Sequence, residues 1–387
     1  MIKKSLIILC ILFGVLAHSQ KTIEKRYESD ELQNFRNVKI YLPKGYEKDS
    51  IANFPLAIVL DGEKLMDLYI GNANFFAATD SAPEQIVVGI DMQNTKYRDA
   101  GYIKENSKLT IESKKFLLFL RDELLPYVEA NYRTSPFISI VGEGISANLI
   151  TYFLKEETPI FNAYLALNPK FSKDINTQIE SYSLSRYQPM DNTFYFYTNS
   201  NPFMKPEYST AANNLATYLK SIDIKNFNVL YDDFSKSPSA VSSIGEAIPR
   251  AFSKFFEIYA GITKDEFDKK IKDLSPIDAI TYLESKYLDI DFLFGSNLGI
   301  REQDIFAIEG IIIDKEEGRH LKDFGNMILK LYPTSPMGDY YLGRFYEESK
   351  QFKKALFHYR VGYGKMDPAD PNADSFYENV QRVVNQR

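Results

Sequence analysis

Tryptophan is absent from this 387-residue sequence, histidine occurs three times, and the one cysteine is Cys10. A lone cysteine closes no disulfide and builds no thiolate metal site. Basic residues are also in short supply: 46 Lys and Arg against 52 Asp and Glu leave a formal charge of −6. Binding a phosphate backbone takes Lys and Arg clustered on one face, so no nucleic acid partner is expected. No apolar run approaches the roughly 20 residues that a membrane-spanning helix takes. The chain is therefore expected to have no membrane span and to be soluble or peripheral.

The first residues form a targeting pattern. Lys3 and Lys4 precede an apolar run from Leu6 to Leu16, and Ala17 and Ser19 put small residues at −3 and −1 of a cleavage point before Gln20. An export signal is predicted over 1–19, and the protein is expected in the periplasm or associated with the cell envelope. Cleavage removes Lys3 and Lys4 and no acid, leaving 44 − 52 = −8. It also removes His18 and Cys10. Lipid modification of Cys10 is the alternative reading, but apolar residues follow it and only nine residues precede it.

From about residue 35 to 258, short apolar runs alternate with amphipathic stretches. Strands are predicted at Val38–Leu42, Pro55–Leu60, Gln85–Asp91, Phe137–Val141, Phe161–Leu167, Thr193–Tyr197 and Asn228–Tyr231. Helices are predicted at Ile111–Ala130, Ser146–Lys155, Tyr208–Ile222 and Glu246–Tyr259. This alternation predicts an α/β fold, a mostly parallel sheet flanked by helices, over 20–260. From 261 to 387 the periodicity is helical throughout, with prolines as breaks, which predicts a small all-α domain of helical hairpins. Within 333–368, Leu342, Gly343, Tyr346, Ala355, Tyr359, Gly362 and Pro368 follow the spacing of a tetratricopeptide repeat, the proline one place late. Ile305–Ile328 keeps helical periodicity with only a degenerate version of that pattern.

The most informative stretch runs from Phe137 to Ile150 and reads FISIVGEGISANLI. A β-branched strand, a Gly-rich turn and an apolar helix start have the layout of a nucleophile elbow, in which the middle residue of G-x-S-x-G carries the attacking oxygen. Here Gly142, Glu143 and Gly144 occupy the turn, and Gly144 stands at the apex with no side chain. Ser146 falls in the first helical turn, where capping the helix is the expected role. A serine nucleophile also needs a base, most often histidine. No histidine occurs between residues 19 and 319, and His320 and His358 fall in the helical region as solvated or structural groups.

Four further segments, VKIYLPKGY at 38–46, PLAIVLDGE at 55–63, YRD at 97–99, and ELLPYVE at 123–129 followed by YRT at 132–134, together with this elbow resemble the esterase D and ferric-enterobactin esterase group of α/β-hydrolases. The resemblance covers about two-thirds of the chain. It implies an esterase fold with a Ser–His–acid triad, and the departures fall on that triad. The family's elbow reads Gly-His-Ser-x-Gly-Gly. Its histidine belongs in the loop after the last strand, here 232–241, and its acid after the strand at 193–198, where the sequence reads Asn199-Ser200-Asn201-Pro202.

Strand ends in such a sheet place Asp61, Glu63, Arg98, Asp99, Glu143 and Asp233 near the pocket mouth as candidate ligand-binding residues. Asp61, Glu63 and Glu143 are the oxygen donors that a hard cation would take, and Arg98 is expected to pair with Asp99 or Glu143. No catalytic residue, metal site or cofactor is assigned. The leading expectation is an exported, non-catalytic binding or scaffold subunit with a protein partner in an envelope complex. The alternatives are a hydrolase of an ester or glycan working through carboxylates or a metal, and a protein that binds a siderophore or sugar.

Overall fold

A computed structural model describes residues 21–179, 184–295, 298–316, 318–367 and 369–386. The expected export signal, with Cys10 and His18, and Pro368 of the repeat pattern lie outside the described residues. The chain divides into two compact units between Phe255 and Phe256.

The first unit is built on an eight-stranded sheet in the order β1-β2-β4-β3-β5-β6-β7-β8. Its strands are β1 (Lys21–Ser29), β2 (Asn34–Leu42), β3 (Phe54–Val59), β4 (Ile86–Ile90), β5 (Thr134–Glu143), β6 (Ala163–Leu167), β7 (Phe194–Ser200) and β8 (Phe227–Asp233). From β4 through β8 every neighbouring pair is parallel, while β1 and β2 join antiparallel. Strands covered on both faces read as continuous apolar runs, and β3 (FPLAIV), β4 (IVVGI) and β6 (AYLAL) are buried at every position.

Sequence periodicity missed β1. It reads KTIEKRYES, with exposed charges that guard a sheet edge against further pairing. Ser29 at its end is buried, and half-buried Ile23 and Tyr27 pack on the core, Tyr27 set edge-on to Phe119 and Tyr127. Several strands extend further than expected: β2 begins at Asn34 and β7 runs to Ser200. β5 runs past Val141 to Glu143, and β8 runs to Asp233.

Helices α1 (Gly62–Ala78), α2 (Lys96–Asp99), α3 (Ile111–Leu118), α4 (Leu125–Asn131), α5 (Ile145–Thr151), α6 (Pro206–Ser221) and α7 (Ala240–Phe255) flank the sheet. The single helix expected over Ile111–Ala130 is interrupted by a π-turn at Phe119–Leu124. Pro126, just inside α4, has no N–H to continue the ladder, and one inserted residue absorbs the defect.

The second unit is helical: α8 (Pro276–Phe294), α9 (Glu302–Glu316), α10 (Leu321–Leu331), α11 (Pro336–Glu348), α12 (Phe352–Lys365) and α13 (Ala373–Asn385). The periodic stretch Ile305–Ile328 resolves into α9 and α10, divided near Gly318, which has φ +78°. Leu283, Tyr287, Ile305, Ile308, Ile312, Phe324, Ile328 and Tyr341 form its core. α10 and α11 meet glycine to glycine. A Cβ on Gly325 would stand 2.7 Å from the Gly338 carbonyl oxygen. Leu342, Ala355 and Tyr359 are all buried, and Tyr346 stacks on His358.

Candidate functional site

β5 delivers the chain into the elbow, and α5 leaves it. Gly142 must be glycine, because an added Cβ would lie 2.7 Å from the Ser146 carbonyl carbon and 3.0 Å from the Ala147 nitrogen. Gly144 stands at the apex with φ 64° and ψ −116°, a backbone conformation that L side chains rarely adopt. Space is not the constraint here. The nearest atoms to an added Cβ are Cδ and Cε of Lys170, both at 3.8 Å. The turn is pinned on both sides, since the Gly144 N–H donates to the Leu167 carbonyl at 3.0 Å and the Lys170 N–H donates to the Gly144 carbonyl at 2.8 Å. The turn has the geometry of an elbow, and its apex carries no side chain.

Ser146 is completely buried. The expectation that it caps the helix fails: Gly144 is the N-cap residue, and α5 has no side-chain cap.

Beside the elbow lies a charge cluster. Asp61 follows β3 with a positive φ of 56°, is 1% exposed, and its Oδ2 accepts from Lys96 Nζ at 2.9 Å. Lys96 also reaches Glu143 Oε2 at 3.1 Å, and Lys64 meets the same oxygen at 3.1 Å. The Glu143 backbone N–H points to Asp61 Oδ2 at 3.4 Å. Burial pushes the Asp61 carboxyl above its ordinary range, and Lys96 offsets this only in part. Burial also opposes ionisation of Glu143, but Lys96 and Lys64 outweigh it and hold that carboxyl below its ordinary range. Flanked by Asp61 and Glu143, the Lys96 ammonium is held charged despite burial. Lys96 thus stands between the two carboxylates.

The other expected pocket residues are placed elsewhere. Glu63 accepts from the Met92 N–H at 3.0 Å and lines a separate groove with Lys39 and Asp91. Asp99 is buried and holds Arg36 at 2.9 Å, and Arg98 pairs with Asp99 rather than with Glu143. Asp233 accepts from the Ser200 hydroxyl at 3.2 Å. Sequence reading did not single out Lys96, Lys64 or Arg36. Lys96 lies one residue before the YRD segment, yet only the fold shows that it, and not Arg98, turns toward the elbow.

Where an acid and a base are expected, the structure holds neutral groups. Asn168 Oδ1 accepts from Asn199 Nδ2 at 2.7 Å, Asn201 Nδ2 at 2.7 Å and Ser243 Oγ at 3.0 Å. Asn168 Nδ2 donates to the Ala240 carbonyl at 2.8 Å, and all four side chains are buried. Nothing in this cluster titrates near neutral pH. Asn168→Ala strands the donors and is expected to cost about 1.5 kcal/mol. The readout is a lower urea midpoint at unchanged m, and an unmoved midpoint would show the network to be energetically idle.

A cleft of about 680 Å³ opens over the elbow, with Glu143, Lys170, Tyr97, Tyr102, Phe203 and Tyr208 on its walls. Burial raises the Tyr102 phenol, and the neighbouring Tyr208 hydroxyl adds to the shift.

A family model described as "Putative esterase" matches residues 29–149, from the end of β1 through the elbow into α5. No curated protein matches the sequence. Among solved structures, an uncharacterised protein from Capnocytophaga ochracea is 22% identical, with a TM-score of 0.81 over 94% of this chain and 100% of that one. An IroE-like serine hydrolase from Shewanella oneidensis is 20% identical, with a TM-score of 0.55 over 81% and 98%. The BES protein from Bacillus cereus is 14% identical, with a TM-score of 0.52 over 62% and 97%. At these identities the likeness is one of fold. The first unit therefore has the α/β-hydrolase fold of the esterase-like proteins, with glycine at the apex of its elbow.

Proposed function

We propose that this chain is a non-hydrolytic binding protein built on an esterase-like fold. The observation that carries the reading is Gly144, a side-chain-free apex in an otherwise complete elbow. The neutral Asn168, Asn199 and Asn201 cluster supports it. A triad hydrolase stripped of its triad retains only about 10³–10⁴-fold acceleration over water. The cleft above the elbow is free to hold a ligand without turning it over. The Lys3, Lys4 and Leu6–Leu16 pattern supports export to the periplasm or cell envelope. The repeat-like spacing of Leu342, Ala355 and Tyr359 supports a protein partner at the helical unit.

The test is an assay of the full chain on 4-nitrophenyl acetate and butyrate. No turnover above buffer is expected, and none from Gly144→Ser, which supplies a hydroxyl without a base. Turnover abolished by Glu143→Gln would overturn the reading in favour of a carboxylate-dependent hydrolase.

A further inference from the structure

The charges around the cleft carry the argument one step beyond that reading, on which it rests. The Lys170 stem lies 3.8 Å from where a side chain on Gly144 would begin, so an alkylammonium runs past the position of the missing nucleophile. Lys170 is exposed, and among the described residues neither it nor Lys104, on the same cleft wall, has an ion-pair partner. Lys205, also on the wall, meets only the solvated Glu207, at 3.9 Å. Among the described residues, Glu143 is the one carboxylate lining the cleft, and Lys64 and Lys96 both hold it. The wall therefore carries a surplus of positive charge in a concave site, where field lines concentrate.

The amides on the cleft wall are largely engaged with one another and with the backbone. Asn201 Nδ2 donates to both Asn168 and Ser243, and Asn168 Nδ2 donates to Ala240. Apolar surface remains available instead: Tyr97 is 70% and Phe203 58% exposed on this wall. We infer that the cleft takes a ligand ending in a carboxylate or similarly compact anion, with an aromatic or apolar body, in place of an ester. Lys170 holds the anion over Gly144, and Tyr97 and Phe203 cover the body.

The experiment pairs benzoate and 4-phenylbutyrate with their methyl esters in calorimetric titrations of the full chain. Each acid is expected to bind about tenfold more tightly than its ester, the worth of one charge-assisted hydrogen bond. Raising the salt should erode the difference. Lys170→Met should abolish the preference, and Lys170→Arg should retain it. Lys104→Met gives a second reading if Lys170→Met melts early. Equal binding of acid and ester, binding of neither, or a preference that survives Lys170→Met would each overturn the inference. Hydrolysis of the methyl esters, followed by chromatography, would instead bring down the non-hydrolytic reading. The two failures are therefore distinguishable.

Discussion

Replacing Lys96 with methionine is expected to cost about 3 kcal/mol at pH 7, because it strips the cation from a buried carboxylate. Asp61 is 1% exposed, and its ammonium partner stands at 2.9 Å. The methionine fills the space of the stem, so the loss reports charge rather than packing. Its pH dependence identifies it. Lys96 lowers the pKa of both Asp61 and Glu143. Without it, both folded-state values rise, and the folded variant takes up protons that the unfolded chain does not. Stability of such a state falls as pH rises through those raised values. The deficit should therefore be full at pH 7 and narrow as the pH is lowered toward 4. Urea unfolding at the two pH values measures it. Equal losses at both would mean that Lys96 acts through packing alone. Lys64→Met, at a side chain 51% exposed, should cost well under about 1 kcal/mol.

Gly325→Ala is expected to destabilise the helical unit by about 3 kcal/mol, although alanine is the better helix former. The added Cβ would meet the Gly338 carbonyl oxygen at 2.7 Å, Leu342 Cγ at 2.9 Å and the Leu342 nitrogen at 3.1 Å. Two of those atoms are backbone, so relief requires α10 and α11 to move apart. The same substitution at Gly310, in α9, meets nothing within 4 Å. There it should stabilise by about 0.5–1 kcal/mol, the propensity difference alone. Opposite signs for one chemical change would locate the constraint in the crossing of α10 and α11. If both variants melt like the parent, the close approach is not a stability determinant.

The parallel sheet was legible in the sequence because strands covered on both faces must be apolar throughout, as β3, β4 and β6 are. β1 was not legible. A charged edge strand with few buried side chains reads as polar coil, and pairing with β2 makes it a strand. The apex of the elbow was legible because a tight strand-to-helix turn leaves few residue types at Gly142 and Gly144. Its surroundings were not. Lys96, Asp61 and Glu143 come from a short helix, a helix N-cap and a strand end far apart in sequence, and which acid finds which base depends on side-chain direction rather than spacing. Arg98 and Lys96, two residues apart on one short helix, face different carboxylates for this reason.

The backbone of the elbow sets a direction for sequence change. At φ 64° and ψ −116° a non-glycine residue bears a conformational cost of about 1–3 kcal/mol. An active elbow recovers that cost as rate. Here a serine at 144 would incur it and return nothing until a histidine also stood within reach. Glycine at this apex therefore keeps the turn free of that cost, and the side chains on the walls of the cleft can vary while the turn beneath them stays fixed.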